Sequence, residues 1–163
     1  MVRDVVIGPA ELEQAGEVLT LQRAAYLSEA QRYGDPFLPP LTQSLDELAG
    51  EMRAGRRLVA LVGTRVVGSV RGVEDDGVLH IGRLAVAPDQ QGRGIGTRLL
   101  RAVENLAGPE VRTFALFTGA DSDDNVRLYE TLGYRTVWRE ALPDGPGLVH
   151  LHKLRIRSHA MSG

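Results

Sequence analysis

Apolar positions along this chain follow two periods, and the switches between them divide it into elements. Val5, Val6 and Ile7 form a short apolar run stopped by Gly8 and Pro9, which reads as a strand. From Glu11 to about Tyr33, the residues Leu12, Ala15, Val18, Leu19, Ala25 and Tyr26 recur at roughly helical spacing, and a helix is predicted there. The stretch "GDPFLPPLTQS" cannot extend it, because its prolines fix φ and remove amide donors. A loop is predicted, with Phe37 and Leu38 apolar and no element to bury them. Ser44 then opens a short helix, with Glu47 as its reciprocal capping partner.

Two strands follow in "RRLVALVGTRVVGSVRGV", broken by a hairpin turn at Gly63-Thr64, and a turn at "EDDG" leads into a fourth strand, "VLHIGRLAV". A helix is predicted from about Ile95 to Ala107, with Ile95, Leu99, Val103 and Leu106 on one stripe and Gly108-Pro109 as its stop. "VRTFALFTG" is a fifth strand. "SDDNVRLYETLG" reads as a helix with a Ser122 cap, acidic residues in its first turn and Gly133 just past its end. "YRTVWRE" and "GLVHLHKLRI" make two final strands joined through "LPDGPG". The order implies an α/β (α+β) fold: a mixed, mostly antiparallel sheet of about seven strands flanked by four helices, turning parallel across the helix at Ile95. No repeat and no Pro/Gly-rich linker interrupts the chain, so residues 1–156 are predicted to form a single domain, with 157–163 a disordered tail.

Composition narrows the chemistry. The 163 residues are 43% hydrophobic and 25% charged, ordinary for a globular chain of one core. A formal net charge of -2 argues against a general nucleic-acid binder. With no cysteine, disulfides, thiolate metal sites and a cysteine nucleophile are excluded. Of His80, His150, His152 and His159, none pairs with another at the spacing of a helical zinc motif, and no metal is expected. His150 and His152 could share a strand face and read as solvated positions. The N-terminal "MVRDVVIGPAELEQ" reaches polar and acidic residues before any long apolar run, so neither a signal peptide nor a membrane span is expected and the location is read as cytoplasmic.

The densest signal is "LAVAPDQQGRGIGTRLL", residues 84 to 100, a strand passing through a glycine-rich loop into an amphipathic helix. The first amides of a helix lack intrahelical acceptors and sit at the positive end of its dipole; glycines let them approach an anion, and Arg93 adds a charge. The loop lacks the lysine of a P-loop, and a dinucleotide fingerprint would need its third glycine at Thr97. What fits is Q-x-x-G-x-G, here Gln91-Gly92-Arg93-Gly94-Ile95-Gly96, after "RLAV" and Pro88.

With "SDDNVRLYETLGYRTV" downstream, this resembles the acyl-coenzyme A loop of the GNAT superfamily of N-acetyltransferases. The resemblance in element order spans almost the whole chain, while specific motifs cover about residues 79 to 137. It implies a sheet splayed between strands four and five. Backbone groups of Leu84, Ala85 and Val86 would pair with pantetheine, and amides of Gln91, Gly92, Arg93, Gly94, Ile95, Gly96 and Thr97 would hold the pyrophosphate of acetyl-CoA. Asn125 would touch the pantetheine and Tyr129 would approach the thioester sulfur. Ser122 stands where many members carry asparagine, so the contact could slide by one turn. Gly82 within the fourth strand is unusual and reads as a bulge or a close approach by another backbone. Dimerisation is common in the superfamily, and the C-terminal strand would be an edge for a homodimer.

An acetyl thioester is already activated, so direct attack by a primary amine of a small molecule or peptide is the expected chemistry. The ammonium must lose a proton to a base, and the thiolate leaves more readily beside an acid. Tyr129 is the candidate acid, its alternative being a core aromatic. His80 is the first candidate base and Glu74 the second; an exposed polar group on a strand or turn is an equal reading of each. Tyr33, Asp35 and Phe37 would face the acceptor, or merely cap the core. Two other readings stay open: a non-catalytic acyl-CoA-binding sensor of the same fold, and an unrelated nucleotide-phosphate loop. The acceptor amine and acyl chain preference are left undetermined.

Overall fold

A computed structural model describes residues 4–143 and 145–156, which include seven strands and five helices; the tail expected at 157–163 lies outside them. In order these are β1 (Val5–Pro9), α1 (Ala15–Tyr33), α2 (Pro39–Thr42), α3 (Leu45–Ala54), β2 (Arg56–Val62), β3 (Arg65–Asp75), β4 (Val78–Val86), α4 (Ile95–Asn105), β5 (Thr113–Gly119), α5 (Asp123–Thr131), β6 (Arg135–Leu142) and β7 (Gly145–Leu154). They form one mixed sheet in the order β1-β2-β3-β4-β5-β7-β6, with β4 and β5 parallel. No helix among the described residues is long and apolar enough to cross a membrane.

Two details depart from the pattern reading. The proline-rich stretch contains α2, because Pro39 and Pro40 stand at the first positions of the helix, where an amide donor is not needed. The stripe of α4 is buried at Ile95, Leu99 and Val103, but Leu106 lies just past the helix and is 43% exposed. The capping box of α3 is as expected: the Glu47 amide donates to Ser44 Oγ at 3.1 Å, and the Ser44 amide donates to Glu47 at 3.2 Å.

Contacts divide the chain into two compact units. The first holds residues up to Val73 together with Ile81–Ala107. In it β2 pairs antiparallel with β1 and with β3. One face of β2 and β3 receives α4: a Cβ built on Gly68 would stand 2.8 Å from Leu99 Cδ1 and 3.1 Å from Ile95 Cγ2. With any larger residue there the Leu99 side chain would have to shift, and full burial of Leu99 contributes about 1.5–3 kcal/mol. Residues of the alternate phase, Arg57, Ser69 and Arg71, face the other way, where Arg57 donates to Ser69 and Arg71 reaches Glu51 of α3.

The second unit holds Glu74–His80 and the chain from Gly108. Here β4 begins, pairing with β5 over Val78↔Thr113, Leu79↔Phe114 and His80↔Ala115. β7 pairs antiparallel with β5 on one side and β6 on the other. The C-terminal strand is therefore interior and β6 is the edge, contrary to the expectation that the last strand would be one. After α5 the chain takes the outer position first and returns into the gap. The core of this unit includes Phe114, Leu116, Tyr129, Tyr134, Val149 and Leu151.

Candidate active site

In the first unit, Pro88–Gln90 form a single 3-10 turn after β4, pinned by a bidentate ion pair in which both Arg65 guanidinium nitrogens reach Asp89 at 2.7 Å. Hydrogen bonds from Arg65 and Gln90 hold the Asp89 carboxyl well below the usual carboxylate range. The loop then turns through Gly92 and Gly94, at φ of 80° and 77°, values that strain any residue with a Cβ. Gly94 is the N-cap of α4, whose first helical bond runs from the Arg98 amide to Gly94 O. Among the described residues no side chain caps this helix, and its first turn carries no acid. Ile95 is buried and anchors the turn, while Gly96 and Thr97 are half-buried. Arg93 is exposed and donates to Gln90.

On β4, Ala85 is buried and Leu84 and Val86 are half-buried. The carbonyls of the latter two take side-chain partners: Tyr26 Oη donates to Leu84 O at 3.2 Å, and Gln91 Nε2 to Val86 O at 3.3 Å. The strand is kinked just before, where Arg83 adopts φ of 54°. Gly82 is explained by a side chain, not by another backbone: a Cβ there would stand 3.2 Å from Arg71 Nη2.

That contact belongs to a group which the sequence reading missed. Arg57 and Arg71 are Cα partners across β2 and β3. Arg71 Nη1 donates to Glu51 at 2.7 Å, Gln43 Nε2 donates to the same carboxylate at 2.8 Å, and Gln22 Nε2 donates to Gln43 at 3.0 Å. Arg57, only 6% exposed, donates through Nη1 to Ser69 Oγ at 3.2 Å. Burial pushes Arg57 down to about 10 against the attraction of Glu51, with Arg71 and Arg83 adding repulsion. It still carries its charge at neutral pH. The signal available in the sequence was one arginine set among apolar residues in each of three successive strands, Arg57, Arg71 and Arg83.

In the second unit, Ser122, Asn125 and Tyr129 all belong to α5 or its N-cap. Ser122 is buried at the N-cap position, but its side chain makes no capping bond; its carbonyl accepts from Val126 N at 3.1 Å. The helix starts on its acidic first turn and on that backbone bond instead. Asn125 Nδ2 donates to Thr118 Oγ1 at 3.3 Å. Tyr129 lies one turn on, 9% exposed, its ring edge-on to Tyr134 at 6.1 Å.

His80 is exposed near the start of β4. The Glu74 carboxylate accepts from the Gly108 amide, so it also fastens the turn that follows α4. Asp35 accepts from the Phe37 amide at 2.8 Å, closing a local turn, while Phe37 itself is 76% exposed. A further acid had no place in the pattern reading: Glu29 follows Tyr26 by three residues on α1, and burial raises its carboxyl above the ordinary range, with Arg32 opposing. His150 is not simply solvated: it stacks on Trp138 at 4.2 Å between ring centroids and reaches Glu140 at 2.9 Å, while His152 is exposed. Among the described residues no group of three His, Asp or Glu could hold a metal ion.

Comparison with known proteins bears on this arrangement. The family model described as acetyltransferase (GNAT) matches residues 20–134. No curated protein matches the sequence. Among solved structures, the PaiA N-acetyltransferase of Thermoplasma acidophilum in complex with coenzyme A is similar at 14% identity and a TM-score of 0.81, covering 93% of this chain and 99% of that one. YncA of Salmonella typhimurium with acetyl-CoA is similar at 16% identity and 0.76, covering 96% and 97%. The IAA acetyltransferase of Bacillus cereus reaches 25% identity and 0.68, covering 93% and 100%. At such identities the likeness of the first two speaks to fold, whereas the matched family model spans most of the sequence including the glycine loop and α5. The chain therefore belongs to the acetyltransferase (GNAT) family.

Proposed function

We propose that this protein transfers the acetyl group of acetyl-CoA directly to the nitrogen of a primary amine. The observation that carries the reading is the start of α4: a helix N-terminus reached through two left-handed glycines, with neither a side-chain cap nor an acid in its first turn among the described residues. Such an end suits a diphosphate, whose oxygens would take the amides from Gln91 to Thr97. The backbone of Leu84, Ala85 and Val86 offers an extended stretch for the amides of the pantetheine arm. Ser122 and Asn125 would contribute polar contacts to that arm.

The thioester supplies an activated acyl group. The nitrogen lone pair forms a C–N bond to the carbonyl carbon, the C–S bond breaks, and sulfur leaves with its electron pair. In our reading the Tyr129 hydroxyl donates the proton that this thiolate takes up, and a carboxylate or imidazole removes the proton the amine gives up. His80 and Glu74 are the bases proposed from sequence; the raised carboxyl of Glu29 adds a third.

The test combines binding and turnover. Titration calorimetry is expected to give saturable heat with coenzyme A and none with ATP or NAD. Incubation with acetyl-CoA and an amine panel is expected to release free thiol in step with acetylated amine. No binding of coenzyme A would overturn the reading, and tight binding with no thiol from any amine would favour an acyl-CoA sensor instead.

A further inference from the structure

We propose that Arg57, Arg71 and Arg83 seat an oxyanion carried by the acceptor, so that the amine acetylated here belongs to an amino acid or an aminoalkyl phosphate and not to an amine that lacks an anionic group. The proposal deepens the acetyl-transfer reading above and rests on it.

Three observations carry it. First, cations directly opposite each other on one sheet face repel, and here a third is added from the next strand. Among the described residues Arg57 has the neutral Ser69 hydroxyl as its hydrogen-bond partner, and the one carboxylate hydrogen-bonded to any of the three is Glu51, through Arg71. Three guanidinium charges against one carboxylate leave the group in want of an anion.

Second, its donors are unspent. Among the described residues no acceptor reaches Arg57 Nε, Arg57 Nη2, Arg71 Nε or Arg83 Nε, all buried. Buried polar hydrogens in native proteins nearly always have partners. The two Arg57 donors lie along one edge of the guanidinium, the edge that grips a carboxylate or phosphate through parallel hydrogen bonds. Glu51 is committed to Arg71 and Gln43, so it does not supply that partner.

Third, the backbone is shaped around the group. Arg83 holds a left-handed conformation inside a strand, which costs free energy and persists where surroundings enforce it. Gly82 beside it leaves room for the Arg71 guanidinium, as the 3.2 Å approach of a built Cβ shows. The next residue, Leu84, begins the stretch of β4 that we assign to the coenzyme arm. An oxyanion held here would tether its amine beside that stretch.

The experiment uses the full chain with saturating acetyl-CoA and reads thiol release. The acceptors are the common L-amino acids, each beside its decarboxylated amine, and phosphoethanolamine beside ethanolamine; the two pairings tell a carboxylate from a phosphate. For the best acid, kcat/KM is expected to exceed that of its counterpart without the anionic group by about 10- to 100-fold. Arg57→Met is expected to remove most of that preference through KM, leaving coenzyme A affinity within about two-fold, and Arg57→Lys to restore part of it. Use of the amines without an anionic group as well as the acids would overturn the proposal. So would no thiol from any acid while coenzyme A binds, or an Arg57→Met effect on coenzyme A affinity in place of acceptor KM. Failure of coenzyme A to bind at all is a different result and would overturn the transfer reading itself.

Discussion

Arg57 and Arg71 stand side by side on neighbouring strands, and the Glu51 carboxylate is hydrogen-bonded to Arg71 but not to Arg57. Burial works against the Glu51 charge, yet the Gln43 hydrogen bond, the charge and hydrogen bond of Arg71, and the charge of Arg57 together hold its carboxyl below the usual 4.5. A carboxyl with a lowered folded pKa contributes stability that is present above its unfolded value and lost as pH falls through the folded one. Thermal melts should therefore show the contribution of Glu51 intact above about pH 4.5 and fading below it. Glu51→Gln should lose about 1–3 kcal/mol near neutral pH and show a flatter acid limb, since it strands Arg71 among like charges. Equal acid limbs in the two proteins would refute the assignment.

Gly68 sets the distance between α4 and the sheet. Gly68→Ala should cost about 1–3 kcal/mol in urea unfolding, because its Cβ would overlap Leu99 and crowd Ile95. Ile95 opens the helix that we assign to the diphosphate, so coenzyme A affinity should fall as well. An unchanged unfolding midpoint would show that Leu99, the flexible neighbour, gives way freely.

Gly94 offers a different kind of test, because a Cβ there meets nothing within 4 Å and the strain lies in its φ of 77° alone. Gly94→Ala should cost roughly 1–2 kcal/mol, as for any L residue in the left-handed region. Calorimetry should register weaker coenzyme A binding from the displaced amides of α4. Retained affinity would argue that those amides do not hold the diphosphate.

For Tyr129, removal of the hydroxyl separates chemistry from packing. Tyr129→Phe keeps the edge-on contact with Tyr134 and should change stability by no more than about 1.5 kcal/mol. If the hydroxyl protonates the leaving thiolate, kcat should drop about 10²- to 10⁴-fold with coenzyme A affinity kept. A kcat near wild type would make Tyr129 a core aromatic only.

The base is decided by pH–rate profiles of His80→Ala, Glu74→Gln and Glu29→Gln. Loss of the limb on which rate rises with pH marks the base, and an unaltered limb clears the residue. Glu74→Gln should also lower the melting temperature, because its carboxylate accepts from the Gly108 amide and would be replaced by a weaker acceptor.

Strand and helix identities were legible in the sequence wherever the signal was local. The capping box at Ser44 and the bounds of β4 needed only neighbouring residues, and so did the glycine loop into α4, from which the family resemblance grew. At Ser122 the local pattern misleads, since a buried serine at an N-cap need not turn its hydroxyl to the helix. The proline-rich stretch misled for a related reason: proline breaks a helix inside it but fits its first turn.

The succession of elements and the unusual start of α4 follow from the amino-acid order alone, because periodicity, capping residues and glycine conformations act over a few residues. Folding in three dimensions put β7 inside the sheet, brought Gly68 against α4, and gathered Arg57, Arg71 and Arg83 around one carboxylate. Those outcomes depend on strand order and on which side chains share a sheet face. Such pairings join residues far apart along the chain, and no local pattern encodes them.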